Sequence, residues 1–182
     1  MTKKLVKFSS ISLESLAALV SEKMKEHNLN CVLVGGSCVS LYSKNRYQSY
    51  DLDFVTQEDM TLVANALNEL GFHKKAKYFS HPDCEFFIEF VSPPVAVGKE
   101  PIIEFEDHKT KLGHITMLTA TDCIKDRLAS YYHWDDKQAL EQALLVFNAK
   151  ANSINLKDIK KWSKQEGYSE KYLIFLRLTK NS

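Results

Sequence analysis

Asp51 and Asp53 stand two residues apart in the apolar-flanked run Tyr50-Asp51-Leu52-Asp53-Phe54-Val55. On a strand, side chains alternate between faces, so both carboxylates point the same way while Leu52 and Phe54 turn to the core. Two anions about 6–7 Å apart on one strand face repel each other unless a cation lies between them. Mg²⁺, which favours carboxylate and phosphate oxygens, is the natural candidate. Upstream, Val34-Gly35-Gly36-Ser37 sets a glycine turn after a buried strand. Glycine lets the backbone come close to a ligand, and the amides of a helix start favour a phosphate. Ser37 adds a hydroxyl. One or two divalent ions at such a site would neutralise a triphosphate, polarise the phosphorus under attack and stabilise departing pyrophosphate.

Taken singly, each motif has a bland counterpart, a common turn or a solvated edge. Their order and separation are more specific. With Val34-Gly35-Gly36-Ser37 followed by Tyr50-Asp51-Leu52-Asp53-Phe54, the chain resembles the nucleotidyltransferase superfamily of polymerase-β-like fold. The lead-in Arg46-Tyr47-Gln48-Ser49 is similar to the Arg-x-Ser/Thr before the acids in abortive-infection-type toxins of that superfamily. The resemblance implies a third carboxylate on a neighbouring strand, and Glu89 between Ile88 and Phe90 is the choice over Glu85 and Glu104. It also implies a basic residue on the helix after the sheet, facing the phosphates. Lys125 and Arg127 are the candidates within Thr119 to Ala129. Asp51, Asp53 and Glu89 would then be catalytic and hold Mg²⁺. Gly35, Gly36, Ser37, Arg46, Ser49, Lys125 and Arg127 would line the nucleotide. The partners would be an NTP and an acceptor hydroxyl on protein, RNA or a small molecule, with a partner protein or a second copy as a further possibility. The alternative is a non-catalytic nucleotide-binding or regulatory module, antitoxin-like, that keeps the fold without the chemistry.

The elements that must position these residues follow from periodicity. Leu13, Leu16, Ala17, Val20 and Met24 form the stripe of a first helix capped by Ser12, and Cys31 to Val34 is a short apolar run typical of a buried strand. A short helix is expected at Val39–Tyr42. Another helix is expected after a Thr56/Asp59 capping pair, with Gly71 closing it. Strand patterns cover Phe72–Phe79, Glu85–Val91, Ile102–Phe105 and His114–Leu118. Four helices follow, opened by Thr119 with Asp122, Asp135 with Gln138, Asn155 with Asp158, and Ser169. The expected architecture is α/β (α+β): a mixed, mostly antiparallel sheet flanked by helices, with residues 1–118 as the nucleotidyltransferase-like core and 119–182 as a helical region packed on it.

Composition bounds the remaining choices. The chain has 182 residues, is 45% hydrophobic and 26% charged, and carries 24 Lys+Arg against 23 Asp+Glu. That suits one ordinary globular unit and argues against wholesale disorder or a strongly basic nucleic-acid binder. Cys31, Cys38, Cys84 and Cys123 form no CxxC pair and suggest free thiols. The basic start Met1 to Lys7 is interrupted before a signal-length apolar core, and no run reaches the ~18–20 apolar residues of a span. A cytoplasmic protein without a membrane is the expectation. Lys74-Lys75-Ala76-Lys77 reads as an edge-strand guard against aggregation. The histidines lack the spacing of a zinc set.

Overall fold

The computed structural model describes residues 7–180. In chain order its elements are α1 (Leu13–Glu26), β1 (Val32–Val34), α2 (Gly35–Tyr42), β2 (Asp51–Val55), α3 (Met60–Asn68), β3 (His73–Lys75), β4 (Tyr78–Ser80), β5 (Phe87–Val91), β6 (Ala96–Val97), β7 (Glu100–Pro101), β8 (Phe105–Thr110), β9 (Gly113–Leu118), α4 (Ala120–Trp134), α5 (Lys137–Lys150), α6 (Leu156–Gln165) and α7 (Ser169–Thr179). The main sheet runs β3-β4-β5-β2-β1-β9-β8, and β6 with β7 forms a separate ribbon. β2–β5 and β1–β9 pair in parallel, the other ladders antiparallel. This is the mixed, mostly antiparallel α/β sheet with flanking helices that the sequence pattern implies.

β2 lies inside the sheet between β5 and β1, so its inward residues meet apolar neighbours on both sides. Leu52 and Phe54 are fully buried with Leu33, Ile88, Phe79 and Met117. Each such side chain contributes about 1.5–3 kcal/mol by leaving water. The same apolar cluster continues without a break into Leu128, Trp162 and Phe175 of the helical half. A polar bond also stitches the two parts, the Trp162 indole N–H donating to Val97 O at 3.2 Å, while within the sheet half the Tyr42 hydroxyl donates to the Leu118 carbonyl at 2.7 Å.

Several local expectations shift. α2 begins at Gly35, directly off β1, because the turn is buried and held by Cys38 Sγ on Leu33 O and Ser40 Oγ on Gly36 O. The run from Phe72 to Phe79 breaks into a hairpin at Ala76, whose φ is 54°. The strand expected at Ile102–Phe105 instead occupies Phe105–Thr110, a polar sequence on the sheet's edge that hydrophobic patterning does not reveal. Ser12, Thr119 and Asn155 cap their helices as expected. α3 is capped by Asp59 alone, since the Thr56 hydroxyl donates to Asn30 O. Asp136 rather than Asp135 caps α5, because Asp135 adopts a left-handed conformation (φ 53°) at the end of α4.

Candidate functional site

Alternation on β2 leaves Asp51 exposed and Asp53 half-buried on one face. The β1–β2 register sets Val34 opposite Asp53, which brings the Gly35 turn directly over the Asp53 carboxylate. A Cβ on Gly35 would lie 2.7 Å from Asp53 Oδ2, and the residue's φ of +69° is itself in the region that favours glycine. The second turn residue, Gly36, packs against Tyr47 and Ser49. Ser37 and Ser49 act on the strand rather than presenting free hydroxyls: both donate to the Asp51 carbonyl, at 3.0 and 2.9 Å. The Ser49 amide donates to Ser40 Oγ at 2.9 Å. The loop before β2 is thus bonded to the end of the strand that carries the acids. Arg46 stands exposed on that loop.

Glu89 is opposite Asp53 in the β2–β5 register and shares its face. Glu85 is exposed ahead of β5, and Glu104 is exposed in the irregular segment before β8. Burial first, then the neighbouring Asp51 and Glu89 charges, pushes the Asp53 carboxyl up from 3.8 to about 6. Arg127 on α4 partly opposes this and Asp126 adds to it. The Arg127 guanidinium donates to Asp126 Oδ2 at 2.6 and 3.1 Å and to Gln142 Oε1 at 3.2 Å. Residues two apart on a helix point in nearly opposite directions, so Arg127 and Lys125 cannot both face β2. Lys125 is 1% exposed and pairs with Glu100, Asp122 and Asp158 at 2.9, 3.3 and 2.6 Å. Its ammonium ties β7, α4 and α6 together, away from the phosphate role the resemblance implies.

Three features of this face carry no separate sequence signal. Lys77, in the hairpin between β3 and β4, reaches Glu89 at 3.1 Å and sits 4.6 Å from the Tyr78 ring centroid. Tyr78 and Glu89 together push the Lys77 ammonium up to about 12. Phe87 lies opposite Asp51, and Tyr78 opposite Glu89. The basic run around Lys77 is visible in the sequence, but its contact with Glu89 depends on the hairpin and the β4–β5 pairing.

Among the described residues, no three His, Cys, Asp or Glu side chains converge tightly enough to enclose a metal ion. A partial set does exist in Asp51 and Asp53, with Glu89 alongside. Mg²⁺ typically takes one or two protein carboxylates, with phosphates and waters completing its shell. The hard oxygen donors and the mutual repulsion that lifts Asp53 both suit such an ion.

No family model matches the chain, and no curated protein matches it. Solved structures do. An antigenic nucleotidyltransferase-like protein from Paracoccidioides brasiliensis superposes with a TM-score of 0.56 at 12% identity, over 79% of this chain and 78% of that one. The solution structure of the antibiotic-resistance factor ANT(2'')-Ia gives 0.54 at 12% identity, over 93% and 97% of the two chains. ANT(2")-Ia crystallised with adenylyl-2"-tobramycin gives 0.54 at 13% identity, over 88% and 98%. The chain has the nucleotidyltransferase fold. Within this fold β2 carries Asp51 and Asp53, and the Gly35 turn adjoins Asp53. No helix among the described residues is long and apolar enough to cross a membrane.

Proposed function

We propose that the chain is a Mg²⁺-dependent nucleotidyltransferase that moves a nucleoside monophosphate from an NTP to an acceptor hydroxyl. The observation that carries this reading is Asp51 and Asp53 on one face of β2, with Glu89 beside Asp53 and a glycine where any side chain would strike the Asp53 carboxylate. A nucleotidyltransferase-fold neighbour crystallised with an adenylylated aminoglycoside adds support from outside the chain.

Asp51, Asp53 and Glu89 would hold the metal, which when bound supplies charge neutralisation at the phosphates. The Gly35–Gly36 turn lets a phosphate approach the backbone. Arg127, held by Asp126 and Gln142, offsets charge building on the leaving group. The acceptor oxygen forms a bond to the α-phosphorus, the bond to the β-phosphate oxygen breaks, and pyrophosphate leaves with the electron pair. The acceptor's proton passes to Glu89. Ser37 and Ser49 act indirectly, by fixing the Asp51 backbone.

The test is incubation with each α-labelled NTP, Mg²⁺ and cell lysate. Asp51→Asn with Asp53→Asn is expected to abolish label transfer while the protein melts at the same temperature or higher. Undiminished transfer by the double variant would end the proposal. A second reading, a nucleotide-binding or antitoxin-like module without chemistry, is favoured by one observation: Glu89 already has Lys77 as a partner at 3.1 Å. NTP binding without transfer to any lysate component would select it.

A further inference from the structure

From the arrangement of the open sheet face, we infer that the acceptor is the 3′ end of a single-stranded nucleic acid, its terminal base stacked on Phe87 and its backbone drawn to Lys75 and Lys77. This rests on the transfer reading for the role of the acids.

Paired residues on neighbouring strands project from the same face. The registers Asp51↔Phe87, Asp53↔Glu89, Glu89↔Tyr78 and Tyr78↔Lys75 therefore set out a graded surface. Carboxylates occupy β2 and β5, aromatic rings β5 and β4, and cations the β3 edge and its hairpin. Phe87 is 42% exposed although it adjoins the acids. Its ring lies 6.0 Å from that of Tyr78, and Lys77 stands over the Tyr78 ring with its side chain 63% exposed. Lys75 is exposed as well. An edge guard requires the lysines but not an exposed phenylalanine one strand from paired aspartates.

The charge order selects the ligand. A polycationic acceptor would meet Lys75 and Lys77 on this side and be repelled. The acidic residues of a peptide would satisfy the lysines but carry no ring of their own for Phe87. A nucleic-acid end satisfies both, because every base has a π-face and every linkage a phosphate. Adjacent strands are about 4.8 Å apart, so a base on Phe87 places its sugar hydroxyl within a ribose's reach of Asp51. The 3′ oxygen then bonds the α-phosphorus of the NTP, pyrophosphate departs with the electrons of the broken bond, and the strand grows by one nucleotide.

Fluorescence anisotropy of the full chain with labelled ten-nucleotide RNA, DNA and duplex probes tests this without chemistry. Single strands are expected to bind, with Phe87→Ala weakening affinity roughly tenfold to a hundredfold and Phe87→Trp restoring it. Lys75→Gln with Lys77→Gln is expected to flatten the dependence of log affinity on log salt by about 1.4, the value for two lost single-strand phosphate contacts. Binding of RNA alone or of both single strands supports the inference and names the sugar. No single-strand binding at low salt, duplex binding alone, or a Phe87→Ala variant that binds like wild type overturns it. Label transfer to a protein or small molecule with no oligonucleotide binding would overturn this inference and leave the transferase reading standing. Oligonucleotide binding by a chain that never transfers label would sink the transferase reading instead.

Discussion

At the scale of single residues, the site is a problem in crowded negative charge. Asp53 is held at about 6 against 3.8 by burial and by Asp51 and Glu89. The folded chain thus binds this proton more tightly than the unfolded chain. Stability falls as pH rises from about 3.8 to 6 and stays lower above that window. Asp53→Asn is expected to raise Tm by roughly 2–8 °C at pH 7.5, with the gain vanishing below about pH 4. Thermal melts of both proteins across pH 4–8 check this. Added Mg²⁺ is expected to raise the wild-type Tm at pH 7.5 and to do so less at pH 5, where protons compete for Asp53. Gly35→Ala is expected to cost about 1–2 kcal/mol from its φ of +69° and to lower transfer a hundredfold or more. The added methyl would meet Asp53 Oδ2, and moving that oxygen costs the fold little but displaces the acid. A chemical melt beside a rate measurement separates the two effects.

At the scale of elements, the two candidate cations on α4 have opposite fates. Arg127 turns toward β2 and its charge reaches Asp53. Lys125 is sealed among carboxylates of β7, α4 and α6, whose hydrogen bonds more than offset its desolvation and leave its ammonium above its ordinary range. Removing a partner from such a buried cluster strands the opposite charges. Lys125→Met is therefore expected to cost about 3–5 kcal/mol, while its folded fraction keeps transferring. Arg127→Gln is expected to slow transfer ten- to a hundredfold with a smaller change in melting. Loss of transfer in folded Lys125→Met would return that lysine to the phosphates. The sequence offers both cations but does not rank them. Their ranking comes from how α4 is rotated against the sheet, which tertiary packing fixes.

At the scale of the whole molecule, one apolar cluster joins the sheet to α4–α7, with Leu33, Leu128, Trp162 and Phe175 in the same continuous core. Cutting at residue 118 would expose Leu118, Met117 and the β6 side of Trp162's packing. A 1–118 fragment is expected to show no cooperative melt, whereas the full chain is expected to unfold in a single transition, as calorimetry of both would establish. A cooperative melt of the fragment would make residues 1–118 an independent unit. The paired aspartates, the glycine turn before them and the alternation that puts Leu52 and Phe54 inward are all local, within one turn or one strand. Strand period and glycine's φ preference sufficed to read them from sequence. The partnership of Glu89 with Asp53, of Lys77 with Glu89 and of Phe87 with Asp51 is set by which strands pair and in what register. Register is a property of the closed sheet, because it is chosen by packing contacts between segments far apart in the chain, and only the folded structure could decide it.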